Sequence, residues 1–291
     1  MHQINKLGLG TVQWGLSYGI ANESGAVTSE TVKSILLESK QIGIKVLDTA
    51  AQYGDAEKVL GMNALEEFDV VTKTPKFAVS KITETEINQL KLAFQDSLVK
   101  LSCKKVYGLL VHHTEDILVP GGSKIISAMK QLKEKDQVEK IGVSVYDSKQ
   151  LDAVMKIFKP DLIQFPINVF DQTFLKKNFL FRLRKKGIEL HARSIFLQGL
   201  LLQKEYPSFL HKDLKKHWQI WNNWLNENNI SPLGACISFI NKIKHLDGVI
   251  IGIETLKQLN LILNLKVKKL NFDKLAIKKK KIIYPQNWLQ K

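Results

Sequence analysis

The chain has 291 residues, of which 44% are hydrophobic and 24% are charged, as in an ordinary globular protein. It contains no run of about 18 apolar residues and no signal-peptide pattern, so we expect no membrane helix, no membrane partner and a cytoplasmic location. The formal net charge is +15, but only three of the 43 basic residues are arginine. Because arginine is the residue that reads nucleic-acid bases, we also expect no nucleic-acid partner.

Short runs rich in leucine and β-branched residues recur along the chain and predict strands. These runs are Leu7–Thr11, Lys45–Thr49, Asp69–Lys73, Val106–His112, Lys140–Val145, Leu162–Pro166, Glu189–Ile195 and Gly248–Ile253. Segments of helical periodicity lie between them: Ser29–Ile42, Asp55–Leu65, Glu84–Leu101, Ser123–Lys135, Ser148–Phe158, Leu175–Lys186, Ile220–Asn228, Pro232–Lys244 and Thr255–Leu265. Strands joined by helices lie parallel, so eight such units predict a closed (β/α)8 barrel, the TIM barrel.

We expect one barrel domain over residues 1–291, with a basic C-terminal segment at 266–291 that includes a run of four lysines. The main alternative fold is an open sheet that binds a dinucleotide through a G-x-G-x-x-G loop. Gly8 and Gly10 are the nearest match, and they lack the third glycine and the helix start that this loop requires. The sequence therefore favours the barrel.

Polar residues stand at the carboxyl ends of most predicted strands, whereas the strand bodies are apolar. The catalytic groups of a (β/α)8 barrel lie at this end. Tyr53 follows Asp48 in a short loop, which would place a phenol beside a carboxylate. Taken alone, Asp48 is equally compatible with a turn residue, and Tyr53 with a half-buried surface aromatic. The strand-end residues are Thr11, with Gln13 and Trp14 just beyond it, Asp48, Lys73, His112 and His113, Ser144, Gln164, Arg193 and Ser194.

Asp48, Tyr53, Lys73 and His112 together resemble the Asp-Tyr-Lys-His tetrad of the aldo-keto reductase family. Their contexts are LDTAAQYG, VVTK and LLVHH, and GLGTVQWG, IGVS, LIQFPINVFD, ARSIFLQGLL and VIIGIETLKQL match in the family's order over essentially the whole chain. GTVQWGLSYGIAN and RSIFLQGLL are most similar to a bacterial branch associated with sugar or surface-polysaccharide metabolism. The resemblance implies an oxidoreductase that transfers hydride from NAD(P)H to an aldehyde, ketone or sugar carbonyl.

The tetrad suits this chemistry, because hydride transfer creates an alkoxide that needs a proton donor and a positive field. We assign proton donation to Tyr53 and expect Lys73 to lower the pKa of Tyr53. Asp48 would hold Lys73 charged and in place, and His112 would hydrogen-bond the carbonyl oxygen or assist the proton transfer. The predicted substrate contacts are Trp14, Tyr53, His112 and His113, with Tyr18, Phe170 and segment 203–219 in the pocket-lining loops.

The resemblance also implies cofactor-binding positions, which are Thr11, Asp48, Ser144, Gln164, Arg193, Ser194, Leu197, Gly199, Gly252, Lys257 and Gln258. Val145 stands where many members have an asparagine that contacts the nicotinamide carboxamide. Arg193 replaces a tyrosine that stacks on the nicotinamide, as a planar guanidinium can also do. Glu254 and Thr255 stand where an arginine often binds the adenosine 2′-phosphate, and Lys257 restores part of that charge. We expect NADP(H) by family habit, with NAD(H) as the alternative.

Two other functions are compatible with parts of the sequence. One is a non-catalytic regulatory protein that senses a nicotinamide cofactor, although an intact tetrad argues against it. The other is a polyanion binder, which rests only on the net charge of +15 and which salt-dependent DNA binding would reveal. His112 and His113 are adjacent, but no further ligands occur at metal-binding spacing, so we expect no metal.

Overall fold

A computed structural model describes residues 6–20, 22 and 25–288 of the chain. Eight parallel strands pair in sequence order, and β1 pairs with β8 to close a barrel. The predicted (β/α)8 fold is confirmed, and every predicted strand overlaps an observed one. The strands are β1 (Leu7–Gly10), β2 (Val46–Asp48), β3 (Asp69–Lys73), β4 (Val106–Val111), β5 (Val138–Ser144), β6 (Leu162–Pro166), β7 (Glu189–Arg193) and β8 (Gly248–Gly252).

The α-helices of the described residues surround the barrel or lie in its loops. They are α1 (Val12–Gly15), α2 (Ser29–Gln41), α3 (Ala56–Gly61), α4 (Glu84–Lys100), α5 (Glu115–Leu118), α6 (Ser123–Glu134), α7 (Ser148–Ile157), α8 (Phe179–Lys185), α9 (Lys212–Glu227), α10 (Pro232–Asn241), α11 (Leu256–Leu263) and α12 (Lys280–Ile283). The predicted helix at Ile220–Asn228 is the second half of α9, whose first half is mostly polar. The predicted helix at Leu175–Lys186 is divided into a 3₁₀ helix and α8, with Asn178 left-handed at the junction.

The helix ends follow from local sequence. Thr83 and Glu86 form a capping box at the start of α4. The Thr83 side chain accepts a hydrogen bond from the backbone of the first turn, and the Glu86 carboxylate accepts one from Thr83 N. Ser231 caps α10 and is followed by proline in the first turn. Gly43 and Gly187, each one residue past the C-cap of α2 and α8, have φ values of +79° and +75°, which favour glycine at these helix ends.

Apolar side chains fill the space between the strands and the surrounding helices, and this layer is the main core. A smaller cluster of Val71, Leu110 and Leu162 lies apart from it, on β3, β4 and β6. Gly108 on β4 permits this packing, because a Cβ atom there would lie 3.1 Å from Val71 and 3.3 Å from Leu162. The packed strands leave the polar side chains to the two ends of the barrel.

At the amino-terminal end, four polar residues form what we call the basal cluster: Tyr107, Lys140, Glu189 and His191. Tyr107 Oη donates to Glu189 Oε2 at 2.7 Å, and His191 Nε2 lies 2.7 Å from Glu189 Oε1. Lys140 Nζ binds both Glu189 and Tyr107 Oη. Burial raises the pKa of the Glu189 carboxyl, but its hydrogen bonds to His191, Lys140 and Tyr107 outweigh this and lower it to about 2. The basal cluster is therefore an ion pair satisfied from several sides.

The C-terminal segment packs across the barrel as far as residue 288. Ile277 N donates to Phe170 O at 2.9 Å, and Trp288 O accepts from His211 N at 3.2 Å. Ile283 and Trp288 are buried. The segment therefore adds apolar contacts to the fold as well as charge, while residues 289–291 lie outside the described part of the chain. Lys278 and Lys279 precede α12 and are exposed.

Candidate active site

A cavity of about 430 Å³ opens at the carboxyl ends of the strands. It lies where the polar strand ends predicted a site. Its walls come from the carboxyl ends of β1, β2, β3, β5, β6, β7 and β8 and from the loops that follow β1, β2, β4, β5, β7 and β8. The tetrad and most of the predicted cofactor positions line it: Thr11, Asp48, Tyr53, Lys73, His112, Ser144, Gln164, Arg193, Ser194, Gly199, Gly252 and Gln258.

Lys73 and Asp48 form a buried ion pair at the inner end of this cavity. Lys73 Nζ lies 2.8 Å from both carboxylate oxygens of Asp48 and donates to Thr49 O at 2.7 Å. Their side chains are only 1% and 6% exposed. Burial lowers the pKa of Lys73, but the charge of Asp48, reinforced by Tyr53, overcomes this effect and raises the pKa above its usual value. Lys73 is therefore a fixed positive charge.

Tyr53 meets Lys73 from the loop between β2 and α3. Its Oη lies 3.4 Å from Lys73 Nζ, and the ammonium is 4.9 Å from the ring centre. The backbone of this loop is packed tightly, because a Cβ at Gly15 would lie 1.9 Å from Tyr53 O. Burial raises the pKa of the Tyr53 phenol, and the opposing effect of Lys73 is smaller. Lys73 does lower the pKa of Tyr53, as expected, but desolvation of the phenolate outweighs this attraction, so the net pKa lies above its usual value.

His112 follows β4 and stands against the Tyr53 ring in an edge-on contact, with 6.0 Å between ring centres. Burial lowers the pKa of His112 to about 2, with further contributions from the charges of Lys73, His113 and Arg193. The imidazole is therefore neutral at physiological pH. Its Nδ1 is buried and has no hydrogen-bond partner among the described residues.

Gln164 makes a contact that the sequence analysis missed. Its Nε2 donates to Asp48 Oδ1 at 2.7 Å, so β6 contributes to holding the ion pair. Gln13 was noted beyond the first strand but was given no role, although it lines the cavity and its Oε1 is buried without a partner among the described residues. Gly252 leaves room for it, since a Cβ there would lie 2.4 Å from the Gln13 amide. The Thr11 hydroxyl is a second buried polar atom of this wall that has no partner among the described residues.

Several predicted contacts lie elsewhere in the structure. Trp14 is a correction: its indole is 1% exposed, packs in the core and donates to Ile253 O at 2.8 Å, so it does not line the cavity. Phe170 is likewise a core residue that packs edge-on against Trp221. The His113 ring is tilted against that of His112, with 4.7 Å between ring centres, and it contacts Gln52 Oε1; His113 does not line the cavity. Other positions that the wall does not include are Leu197, which is buried, Lys257, which is exposed, and segment 203–219.

Arg193 and Tyr146 both line the cavity and form a cation–π contact. The guanidinium carbon lies 4.6 Å from the Tyr146 ring centre. Arg193 Nη1 donates to Ser194 Oγ at 3.2 Å and Nη2 to Val145 O at 3.4 Å. Tyr146 in turn contacts Tyr284 of the C-terminal segment, 5.9 Å between ring centres. Tyr146 escaped the sequence analysis because it follows β5 by two residues and belongs to no motif.

The far end of the cavity reaches the start of α11. Thr255 is the N-cap of this helix and its side chain accepts from Gln258 N. Gln258 Oε1 accepts from Glu254 N at 2.7 Å. Burial raises the pKa of the Glu254 carboxyl. Glu254 and Gln258 line the cavity here, so it extends from the tetrad to a helix N-terminus.

Within residues 6–20, 22 and 25–288, no group of three or more potential ligands is placed to hold a metal ion. In the same part of the chain, no helix has the length and apolar character needed to span a bilayer.

The fold and this site define a class: a (β/α)8 protein with an Asp-Lys ion pair, a tyrosine and a neutral histidine at one cavity. The profile of the Aldo/keto reductase family matches residues 6–283, and the chain belongs to this family. Its members are oxidoreductases that use nicotinamide cofactors on carbonyl compounds, and this membership places the chain in that class of enzyme. The sequence-based resemblance is confirmed.

Among proteins similar to this chain is the aldo-keto reductase YhdN of Bacillus subtilis (strain 168), 26% identical over 230 residues. The match spans 74% of this chain and 66% of that relative. Two solved structures share the fold. The aldo-keto reductase AKR11C1 from Bacillus halodurans (holo form) has a TM-score of 0.72, 16% identity, and coverage of 97% of this chain and 94% of its own. The glycerol dehydrogenase AKR11B4 from Gluconobacter oxydans has a TM-score of 0.66, 17% identity, and coverage of 92% and 90%.

Proposed function

We propose that this protein reduces an aldehyde, ketone or sugar carbonyl with NAD(P)H, with Tyr53 as the proton donor. The observation that carries the proposal is the position of Lys73, which contacts both Asp48 and Tyr53 beside a neutral His112 at one cavity. We further propose that the enzyme works in the cytoplasm. A role in carbohydrate metabolism rests on the branch resemblance and is part of the same proposal.

The residues present fit a nicotinamide dinucleotide. The residues that line the cavity run from the tetrad to the start of α11. Buried polar atoms of Thr11 and Gln13 in this lining have no partner among the described residues. When bound, the nicotinamide would supply hydride to the carbonyl carbon. We propose that the cofactor is held by the lining residues Thr11, Ser144, Gln164, Arg193, Ser194, Gly199, Gly252 and Gln258. Leu197 and Lys257, which do not line the cavity, complete the proposed set: Leu197 is buried and Lys257 is exposed.

Tyr53 is suited to give a proton to the substrate oxygen. Its raised pKa keeps the phenol protonated at neutral pH, and an alkoxide is a far stronger base than a phenolate. The neighbouring Lys73 then stabilises the phenolate that remains. A unit charge at about 4 Å contributes roughly 4 kcal/mol at an effective dielectric constant of 20, and Asp48 cancels part of this.

Neutral His112 is suited to orient the carbonyl oxygen. A neutral imidazole carries one N–H, which can donate a hydrogen bond to the carbonyl oxygen while the Tyr53 hydroxyl donates to the same oxygen. The low pKa of His112 excludes a role as an acid, so proton donation rests with Tyr53. The two residues therefore divide orientation and proton transfer between them.

We propose NADP(H) as the cofactor, with weak discrimination against NAD(H). Thr255 and Gln258 are engaged in capping α11, and Glu254 places a carboxylate at this end of the cavity. Lys257 is the cationic residue nearest in sequence to Glu254 and Thr255, and its side chain is exposed. A contact to an exposed lysine is weaker than a buried clamp because solvent and salt screen it.

The proposal is tested by following NAD(P)H absorbance at 340 nm with both cofactors and a panel of aldehydes, ketones and sugars. Turnover that depends on a carbonyl supports an enzyme. Cofactor binding without turnover of any carbonyl, in both reaction directions, would instead support the regulatory cofactor sensor. The Tyr53→Phe variant serves as the control for contaminating reductases, because it should lose turnover while its cofactor affinity stays unchanged. Activity that persists in this variant would point to a contaminant.

A further inference from the structure

The charge balance of the cavity is uneven. Within the described residues, the charged side chains that line it are Asp48, Lys73, Arg193 and Glu254. Asp48 and Lys73 cancel, because both carboxylate oxygens lie 2.8 Å from the ammonium nitrogen. His112 adds no charge, since burial holds its pKa near 2. Arg193 and Glu254 are the two charges left, and their positions decide the field at the reaction centre.

Arg193 lies toward the tetrad, whereas Glu254 lies toward α11. The charge of Arg193 opposes the raised pKa values of Tyr18 and Tyr53 and helps to lower that of His112. The pKa of Glu254 responds only to burial and to Gln258. The two charges therefore do not compensate each other, and the space in front of the tetrad is electropositive.

The guanidinium of Arg193 is held in place with most of its donors free. One face lies on the Tyr146 ring at 4.6 Å, which fixes its plane. Its described hydrogen bonds are those to Ser194 Oγ at 3.2 Å and Val145 O at 3.4 Å, and it forms no ion pair with a described carboxylate. A guanidinium has five N–H donors, so at least three remain for a ligand. A planar fork of donors at a half-buried position is suited to a carboxylate or a phosphate.

We propose that the substrate carries an anionic group, a carboxylate or a phosphate ester, which Arg193 binds while the carbonyl lies between Tyr53 and His112. This inference rests on the proposed carbonyl reduction and specifies its substrate class. Stacking on a cofactor ring would use the free face of the guanidinium, and binding of an oxyanion uses its edge, so the two roles are compatible. Tyr146 acts as a positioning residue for Arg193.

The test compares matched substrates that differ in charge. 4-Carboxybenzaldehyde is paired with 4-formylbenzamide, and glyceraldehyde 3-phosphate with glyceraldehyde, so that the two pairs distinguish carboxylate from phosphate. We expect the wild type to favour the anionic member of at least one pair in kcat/KM. Arg193→Gln should lower this preference by about 10- to 100-fold, as for loss of a hydrogen bond to a charged group. Arg193→Lys should retain part of it.

The matched control is Arg182→Gln, the same substitution at an exposed arginine on α8. It removes the same net charge and should leave the preference unchanged. Equal use of both members of each pair by the wild type, or an equal loss for both in Arg193→Gln, would overturn the inference and leave the proposed function intact.

If the wild type reduces no carbonyl with either cofactor, the proposed function fails, and binding decides the inference. Calorimetry would compare 4-(hydroxymethyl)benzoate with 4-(hydroxymethyl)benzamide on the wild type and on Arg193→Gln. Tighter binding of the benzoate that is lost in the variant supports the anion site. Equal binding of the two compounds overturns it.

Discussion

The two ends of this barrel carry the same four kinds of residue in two different arrangements. At the carboxyl end, Asp48, Lys73, Tyr53 and His112 line a cavity. The basal cluster contains the same four groups, a carboxylate, an ammonium, a phenol and an imidazole, on Glu189, Lys140, Tyr107 and His191. Composition alone therefore does not distinguish a candidate catalytic site from a structural ion pair.

Geometry does distinguish them. In the basal cluster the phenol and the imidazole both bind the carboxylate, so every polar group converges on Glu189. At the other end the carboxylate is occupied by Lys73 and Gln164. Among the described residues, the Tyr53 hydroxyl hydrogen-bonds to Lys73, and the His112 ring, which meets the Tyr53 ring edge-on, makes no side-chain hydrogen bond. The donors that the basal cluster uses internally are left at the tetrad for a substrate. This difference is what makes the carboxyl end the candidate for catalysis.

The largest effect that tests this comparison is on turnover. Tyr53→Phe should lower the reductive rate by about 10²–10⁴, the contribution of a positioned acid, while cofactor affinity changes little. Tyr107→Phe is the matched control in the basal cluster and should leave the rate unchanged. Steady-state kinetics and fluorescence titration on the same samples measure both quantities. Undiminished turnover in Tyr53→Phe would remove the assignment of the proton donor.

The second effect is on stability and belongs to the basal end. Lys140→Met leaves Glu189 buried without its cation, which costs about 3 kcal/mol in unfolding free energy, at the lower end of the range for broken buried pairs because Lys140 is partly exposed. Turnover at a temperature where the variant is folded should match that of the wild type. Urea denaturation measures the first quantity. A stability unchanged by the substitution would mean that the cluster contributes no net energy.

Acidification separates the two ends by pH window. His112 has a folded pKa of about 2, below its unfolded value of about 6.5, so the unfolded chain binds the proton more readily and stability falls as the pH drops below about 6.5. Glu189 also has a folded pKa of about 2, so its stabilising contribution is full above the unfolded value of about 4.5 and is lost as the pH falls toward 2. His112→Gln should flatten the upper window and Glu189→Gln the lower one.

Denaturant titrations from pH 7 to pH 3 measure these slopes. The two variants should be distinguishable between pH 6.5 and 5, where, of these two groups, only His112 contributes. An identical slope for His112→Gln and the wild type in this range would show that the imidazole is not held neutral by the fold.

The smallest effect concerns the cofactor. With Glu254 at the far end of the cavity and an exposed Lys257 beside it, we expect the dissociation constants of NADPH and NADH to differ by less than about tenfold, or 1.4 kcal/mol. The preference should shrink as salt increases. Titration of both cofactors at low and high ionic strength measures it. A hundredfold preference for NADPH that persists in high salt would require a buried phosphate clamp.

The fold was predictable because eight strands with apolar bodies alternate with helices, and the ion pair of Asp48 and Lys73 was predictable because a buried lysine needs a partner. The pKa of Tyr53 was not, since it depends on how deeply the phenol is buried. Trp14 follows β1 closely enough to be expected in the cavity, yet its indole is buried and donates to Ile253 at the end of the neighbouring strand β8. The basal cluster was missed because its members stand in apolar strands without a motif.

The pairing of β1 with β8 has a consequence for how the protein is made. The cavity wall is built from both sides of this seam, with Gly10 and Thr11 on one side and Gly252 on the other. Trp14 bonds to Ile253 across a separation of 239 residues, and closing so long a loop costs about 2 kcal/mol more than closing one of 30 residues. A chain still on the ribosome therefore lacks a cofactor site until β8 has emerged. In refolding, cofactor binding should accordingly arise after the helical signal, as the last event.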